Sequence, residues 1–232
     1  MDLIFDGFSK AFDMIIGIDR GLFTIAWLSI KVSLFAVLIS SIIGVPLGTW
    51  LAIGHFRGRK IFLTLANAGM GLPPVVVGLT VALMFWRSGP MGEFQLMYTP
   101  LAMIIAQTII ALPILIALTT SAIQSLDKQV ELETRTLGAS NWQMIATLWK
   151  EARLGLLAAA MAAFGGVISE VGAVLIVGGN IFGQTRVMTT AIVMESRMGH
   201  FDTAIALSIL LLVLIFITNF ILTYLQQRQQ NG

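Results

Sequence analysis

Ionisable residues are scarce in this chain, so the few present limit its chemistry. Charged residues make up 11% of 232 positions and hydrophobic residues 57%. Glu170 stands inside the apolar run 154-LGLLAAAMAAFGGVISEVGAVLIVGG-179. A carboxyl group in a membrane helix is costly and marks a functional candidate by default. It either faces a pathway, where it would tune a gate, or is hydrogen-bonded to neighbouring helices in a structural role. Lys31, inside another apolar run, either partners Glu170 or snorkels to the interface on its long stem, and snorkelling is the expectation. His55 and His200 stand alone, without a companion at metal-ligand spacing, and read as interfacial. No Ser–His or paired-carboxylate arrangement suggests an active site. No Walker motif is present, so the chain is not expected to hydrolyse ATP. Cysteine is absent, which excludes disulfides and Cys-based metal sites. No metal or cofactor is expected on this chain.

The densest charge lies in 131-ELETRTLGASNWQMIATLWKEAR-153. Ser125 and Asp127 suit a helix N-cap, and a short helix is predicted over 128–137. Gly138 suits the left-handed conformation that ends it. Ser140 suits the cap of a second helix, 141–152, on which Trp142, Ile145, Leu148 and Trp149 share one apolar face. Two short helices joined at a glycine form a knob too charged to enter a bilayer. On these residues alone, an ordinary loop folded on its own helices and a docking element are equally consistent.

The elements that must hold these residues are membrane helices. The mean hydropathy is +0.90. Apolar runs of bilayer length are predicted near 22–54, 61–86, 99–124, 154–178 and 203–226, since a span needs about 20 residues. The first is over-long and is expected to tilt, protrude or bend near Gly44-Val45-Pro46. In the second, Gly71, Pro73, Pro74 and Gly78 predict either a broken helix lining a pathway or a packing kink, and the broken helix is favoured. Gly178, Gly179 and Asn180 stop the fourth. The following 181–202 is expected at the outer surface, to receive a binding protein or as a solvated loop. Residues 1–20 place Leu3, Ile4, Phe5, Phe8, Phe12, Ile15 and Ile16 at helical spacing, which predicts an amphipathic helix at the interface or one packed on other helices. No cleaved signal peptide is expected. The whole of 1–232 reads as one transmembrane domain.

Five spans leave Arg57, Arg59, Lys60, Lys128, Arg135, Lys150, Arg153 and Arg228 on one side, against Lys10, Arg20, Arg87, Arg186 and Arg197 on the other. The positive-inside rule puts the first set, the 125–153 segment and the C-terminus in the cytoplasm, and the N-terminus outside. A net charge of only +2 gives no reason to expect nucleic acid as a partner.

The 131–153 segment resembles the EAA loop of ABC-importer permeases, the coupling helix that docks on the ATPase subunit. The family pattern is E-A-A, three residues, Gly, nine residues, then I-x-L-P. Gly138 and Leu148 match the Gly and Ile positions, within the run 135-RTLGAS-140. Leu132, Glu133 and Thr134 stand where E-A-A is usual, and Lys150 and Glu151 where L-P is usual. Three further stretches, 71-GLPPVVVGL-79, 168-ISEVGAVLIVGGNIFGQTRVMTTAI-192 and 4-IFDGFSKAF-12, resemble permeases of the molybdate/tungstate group of oxyanion importers, and within it the tungstate type.

The resemblance implies a type I permease fold, all-α and integral to the membrane. It implies a homodimer in the prokaryotic cytoplasmic membrane, a cytoplasmic ATPase that holds the ATP and Mg, and an extracytoplasmic oxyanion-binding protein. ATPase coupling would fall to Glu131 or Glu133 with Arg135, Leu137, Gly138, Ala139, Ser140, Trp142 and Leu148. Pathway or gate candidates are Pro73, Pro74, Gly78, Glu170, Gly172 and Asn180. A bare carboxylate repels an anion, so Glu170 is not expected to be a direct ligand. Permeases for molybdate, sulfate, phosphate or an amino acid stand as alternatives within the class, and an intramembrane enzyme or a membrane scaffold outside it.

Overall fold

The computed structural model describes residues 2–17 and 20–228, which form helices and no strand. The side chains of Leu3, Ile4, Ile15, Ile16, Arg20 and Arg228 lie outside those described. Among the described residues, three helices are long and apolar enough to cross a bilayer alone: α2 (Arg20–Ile53), α5 (Pro100–Gln124) and α11 (Phe201–Arg228). Two bent pairs bring the possible spans to five. These are α3 (Arg59–Gly69) with α4 (Pro74–Phe85), bent by 99°, and α7 (Asn141–Glu151) with α8 (Arg153–Ile168), bent by 70°.

The α2–α5 pair is the axis of the fold. At about 1.5 Å per residue, the 34 residues of α2 exceed a hydrocarbon core of about 30 Å. The helix runs unbroken through Pro46, where a bend was one of the expectations. Close approach is set by small residues, because packing rather than hydrophobicity drives association in lipid. A Cβ on Gly48 would lie 2.7 Å from Thr119 Cβ, and one on Gly44 2.9 Å from Leu115 Cβ. Two hydroxyls cross the seam: Ser40 donates to the Thr108 carbonyl (3.0 Å) and Thr120 to the Gly48 carbonyl (3.1 Å).

Around this axis the expected break in the second span is present, and two other expectations are corrected. Residues 61–86 are two helices that turn at Met70–Pro73, because Pro73 adopts an extended backbone and Pro74 opens α4. The 154–178 run is α8 followed, after a break at Ser169–Val171, by α9 (Gly172–Gly178). Residues 181–202 are not a loop throughout, since α10 (Met188–Arg197) buries Met188, Thr189, Thr190 and Ala191, while 181–184 are exposed. The N-terminal helix α1 (Asp2–Ile16) packs on α11. Gly7 abuts Ile205, and Lys10 donates to Asp202 and to Thr203 Oγ1. Phe5, Phe8 and Phe12 form the exposed stripe of α1.

Candidate functional site

The charged knob folds by local rules. Asp127 accepts the Gln129 N–H (2.9 Å) and caps α6 (Lys128–Thr136); Ser125 is not that cap. Gly138, at φ +80°, ends α6 with two return bonds, its own N–H to the Arg135 carbonyl (3.0 Å) and the Ala139 N–H to the Thr134 carbonyl (3.2 Å). Ser140 and Gln143 then cap α7 reciprocally, the Ser140 N–H donating to Gln143 Oε1 (2.8 Å) and the Gln143 N–H to Ser140 Oγ (3.4 Å).

The apolar residues of the knob divide between two directions. Met144 and Leu148 are buried with Ile123 and Ala152, against Ile53, Leu126 and Leu156. Trp149 Nε1 donates to Thr49 Oγ1 (2.8 Å), which ties α7 to α2. Leu148 therefore anchors the knob to the spans and does not lie on its outer face. Leu132, Leu137 and Trp142 point away, with Leu137 87% and Trp142 78% exposed. Glu131 pairs with Arg135 (3.0 Å), while Glu133 is exposed. Ala139 is half-buried beside Gly138, at which an added Cβ would meet nothing within 4 Å. An unfilled apolar surface on a small polar knob is what a docking element presents.

A second constellation joins the two broken spans. α4 and α9 lie side by side. A Cβ on Gly78 would sit 2.5 Å from Ala173 Cα, and one on Gly172 2.6 Å from Val75 Cγ2. Gly78 is thus a contact inside α4, and the interruption itself lies at Pro73 and Pro74. Irregular backbone at membrane depth persists only where its polar groups are satisfied. Here Gln107 Nε2 donates to the Val167 carbonyl (2.9 Å), Thr189 Oγ1 to the Glu170 carbonyl (3.0 Å), and the Ala173 N–H to Glu170 Oε1 (3.1 Å). Lys31 is exposed and forms no ion pair among the described residues. His200 pairs with Glu195 (2.9 Å), and the described residues contain no metal-ligating cluster. Asn180, at φ +54°, follows Gly179, where Tyr98 leaves no room for a side chain.

Gln107 was missed by sequence reasoning, although an amide in the run 101-LAMIIAQTIIALPILIALTTSAI-123 was a signal that could have found it. It is 3% exposed. Glu170 caps the resumed helix, and that geometry predicts two outcomes. Glu170→Gln keeps an acceptor for the Ala173 N–H and is expected to hold thermal stability near wild type. Glu170→Ala removes the cap and is expected to cost about 1 kcal/mol in detergent unfolding. Equal losses in both variants would mean that the charge, and not the cap, is what matters.

Comparison with known proteins gives a consistent result. Residues 44–231 match the family model described as binding-protein-dependent transport system inner membrane component. The chain is 40% identical to the tungstate uptake system permease protein TupB of Peptoclostridium acidaminophilum, over 98% of this chain and 100% of that one. It is 34% identical to TupB of Campylobacter jejuni, over 95% and 92%. Its fold is similar to a solved bacterial ABC transporter involved in alginate import, with a TM-score of 0.77, 16% identity and coverage of 97% and 83%.

Proposed function

Because the chain belongs to the family of binding-protein-dependent transport system inner membrane components, we propose that it is the pathway-forming permease of a tungstate importer. The fold is that of type I ABC-importer permeases, all-helical and membrane-embedded. One observation carries the substrate: the 40% identity to a tungstate permease spans both chains almost end to end.

The knob is the ATPase docking element, and this chain itself is not an enzyme. ATP and Mg belong to the partner. Leu132, Leu137 and Trp142 supply the exposed contact surface, with Glu133, Arg135, Ala139 and Ser140 around it. Met144, Leu148 and the Trp149–Thr49 bond carry its displacement into α2 and α5. The α4–α9 contact, with Pro73, Pro74, Gly78, Glu170 and Gly172, is the part of the pathway those motions change. Five spans are too few to wall a pathway alone, so two copies meet on a two-fold axis in the lipid. The knob side is cytoplasmic. There Arg59 donates to the carbonyls of Leu51 (2.7 Å) and Ala52 (3.3 Å), closing the end of α2. The opposite side receives the oxyanion-binding protein. Alternating access follows when ATP draws the two knobs together.

Affinity purification from native membranes tests this reading. A stoichiometric nucleotide-binding subunit should accompany the chain. The complex, reconstituted with its binding protein, should take up tungstate only with ATP. Recovery of an intact dimer with no nucleotide-binding subunit would refute the permease reading. ATP-driven uptake of sulfate or phosphate but not tungstate would refute the substrate alone.

A further inference from the structure

Among the described residues, Arg186 is a cation without an anionic partner. Its guanidinium is permanently charged. The ion pairs among the described residues join Lys10 to Asp202, Arg135 to Glu131 and His200 to Glu195, and Arg186 belongs to none of them. Its Nε is buried without an acceptor, and Nη2 makes one long bond, 3.4 Å, to the Asn180 carbonyl. The neighbouring Asn180 Oδ1 is likewise buried without a partner.

The location makes this unusual. The loop 179–187 runs back against the span bundle. Val187 is buried in one core with Val32, Val77 and Val174, and the Met188 N–H donates to Ser29 Oγ of α2 (2.9 Å). Arg186 is therefore placed beside an apolar core at the end of the bundle away from the knob. The side chain as a whole is half-buried, and its Nε, shielded from solvent, costs stability unless an acceptor meets it.

The surroundings suit an anion that comes and goes. Arg186 opens on a cavity of about 300 Å³ lined also by Thr24, Ile25, Leu28, Phe182 and Gly183. The Phe182 ring lies against the guanidinium, with Cζ 5.2 Å from the ring centroid, and fixes its plane. Gly183, at φ +74°, has nothing within 4 Å of an added Cβ, so the mouth is open. At about 30 Å³ per water, the cavity holds a tetrahedral dianion and several waters. The planar N–H fork of arginine matches two oxygens of such an ion.

We propose that Arg186 and its cavity form a transit site for a tetrahedral oxyanion on the permease itself, between release from the binding protein and entry to the pathway. This rests on the oxyanion-importer reading above. The test is equilibrium dialysis of tungstate against the permease–ATPase complex in nanodiscs, without the binding protein, with bound metal counted by mass spectrometry. Wild type should bind. Arg186→Lys keeps the charge but loses the planar fork and its stacking on Phe182, and should bind more weakly than wild type but more tightly than Arg186→Ala. Arg186→Ala should bind about tenfold or more weakly, as expected for a lost charge-assisted contact. Thr24→Asp, which places a carboxylate on the exposed cavity wall, should weaken binding as much without touching the arginine. No binding to wild type, or equal binding by all four proteins, overturns the site. Binding of sulfate or phosphate but not tungstate, with the same dependence on Arg186, upholds the site and overturns the tungstate assignment.

Discussion

Gly138→Pro is expected to release the ATPase subunit and abolish ATP-driven uptake while the spans remain folded. Gly138 sits at φ +80°, and proline is confined to φ near −65°. The variant cannot make the turn that sets α6 against α7, nor can it donate to the Arg135 carbonyl. Leu132 and Leu137 on α6 would then lose their fixed relation to Trp142 on α7. A single aromatic anchor such as Trp142 can contribute about 2–4 kcal/mol, so misplacing it alone weakens docking by about a hundredfold. Ala139→Glu is expected to act in the same direction by crowding the junction with charge. The core of Met144, Leu148 and Ile123 lies on the other side of the knob and is untouched. Circular dichroism should therefore show wild-type helix content, and the ATPase should be missing from the purified complex. Normal assembly and uptake by Gly138→Pro would return the segment to an ordinary loop.

One substitution made at two glycines should change stability with opposite signs. Gly78→Ala places a methyl 2.5 Å from Ala173 Cα, which is backbone and cannot rotate aside. The two helices that carry the interruptions must part, at a cost of about 1–3 kcal/mol or more. Gly165→Ala, in the interior of α8, places the same methyl where nothing lies within 4 Å. It is expected to stabilise by about 0.5–1 kcal/mol through helix propensity. Thermal unfolding of both variants in one detergent reads the difference directly. A shift of the same sign in both would show that the α4–α9 contact is not tight.

Local chemistry accounts for what was legible before any coordinates. Lipid tolerates only long apolar helices, so the apolar runs near 22–54, 99–124 and 203–226 declared themselves as α2, α5 and α11. Caps and turns depend on neighbours a few residues away, so Asp127, Gly138 and Ser140 defined the knob to within a residue at each helix end. Long-range pairing decided the rest. Helices apolar on every face carry no stripe to say which side packs, and α4, α8 and α11 are of that kind. Whether Leu148 faced outward or inward depended on Ile123 and on the α2–α5 pair beneath it. The break at Met70–Pro73 follows from Pro73 and Pro74 themselves, whereas the one at Ser169–Val171 depended on partners far along the chain, Gln107 and Thr189 among them. In 181–202 the polar residues left a binding-protein platform and a solvated loop equally open, because threonine hydroxyls resemble surface groups. In the fold they bond backbone carbonyls, and tertiary contact turned that segment into buried α10.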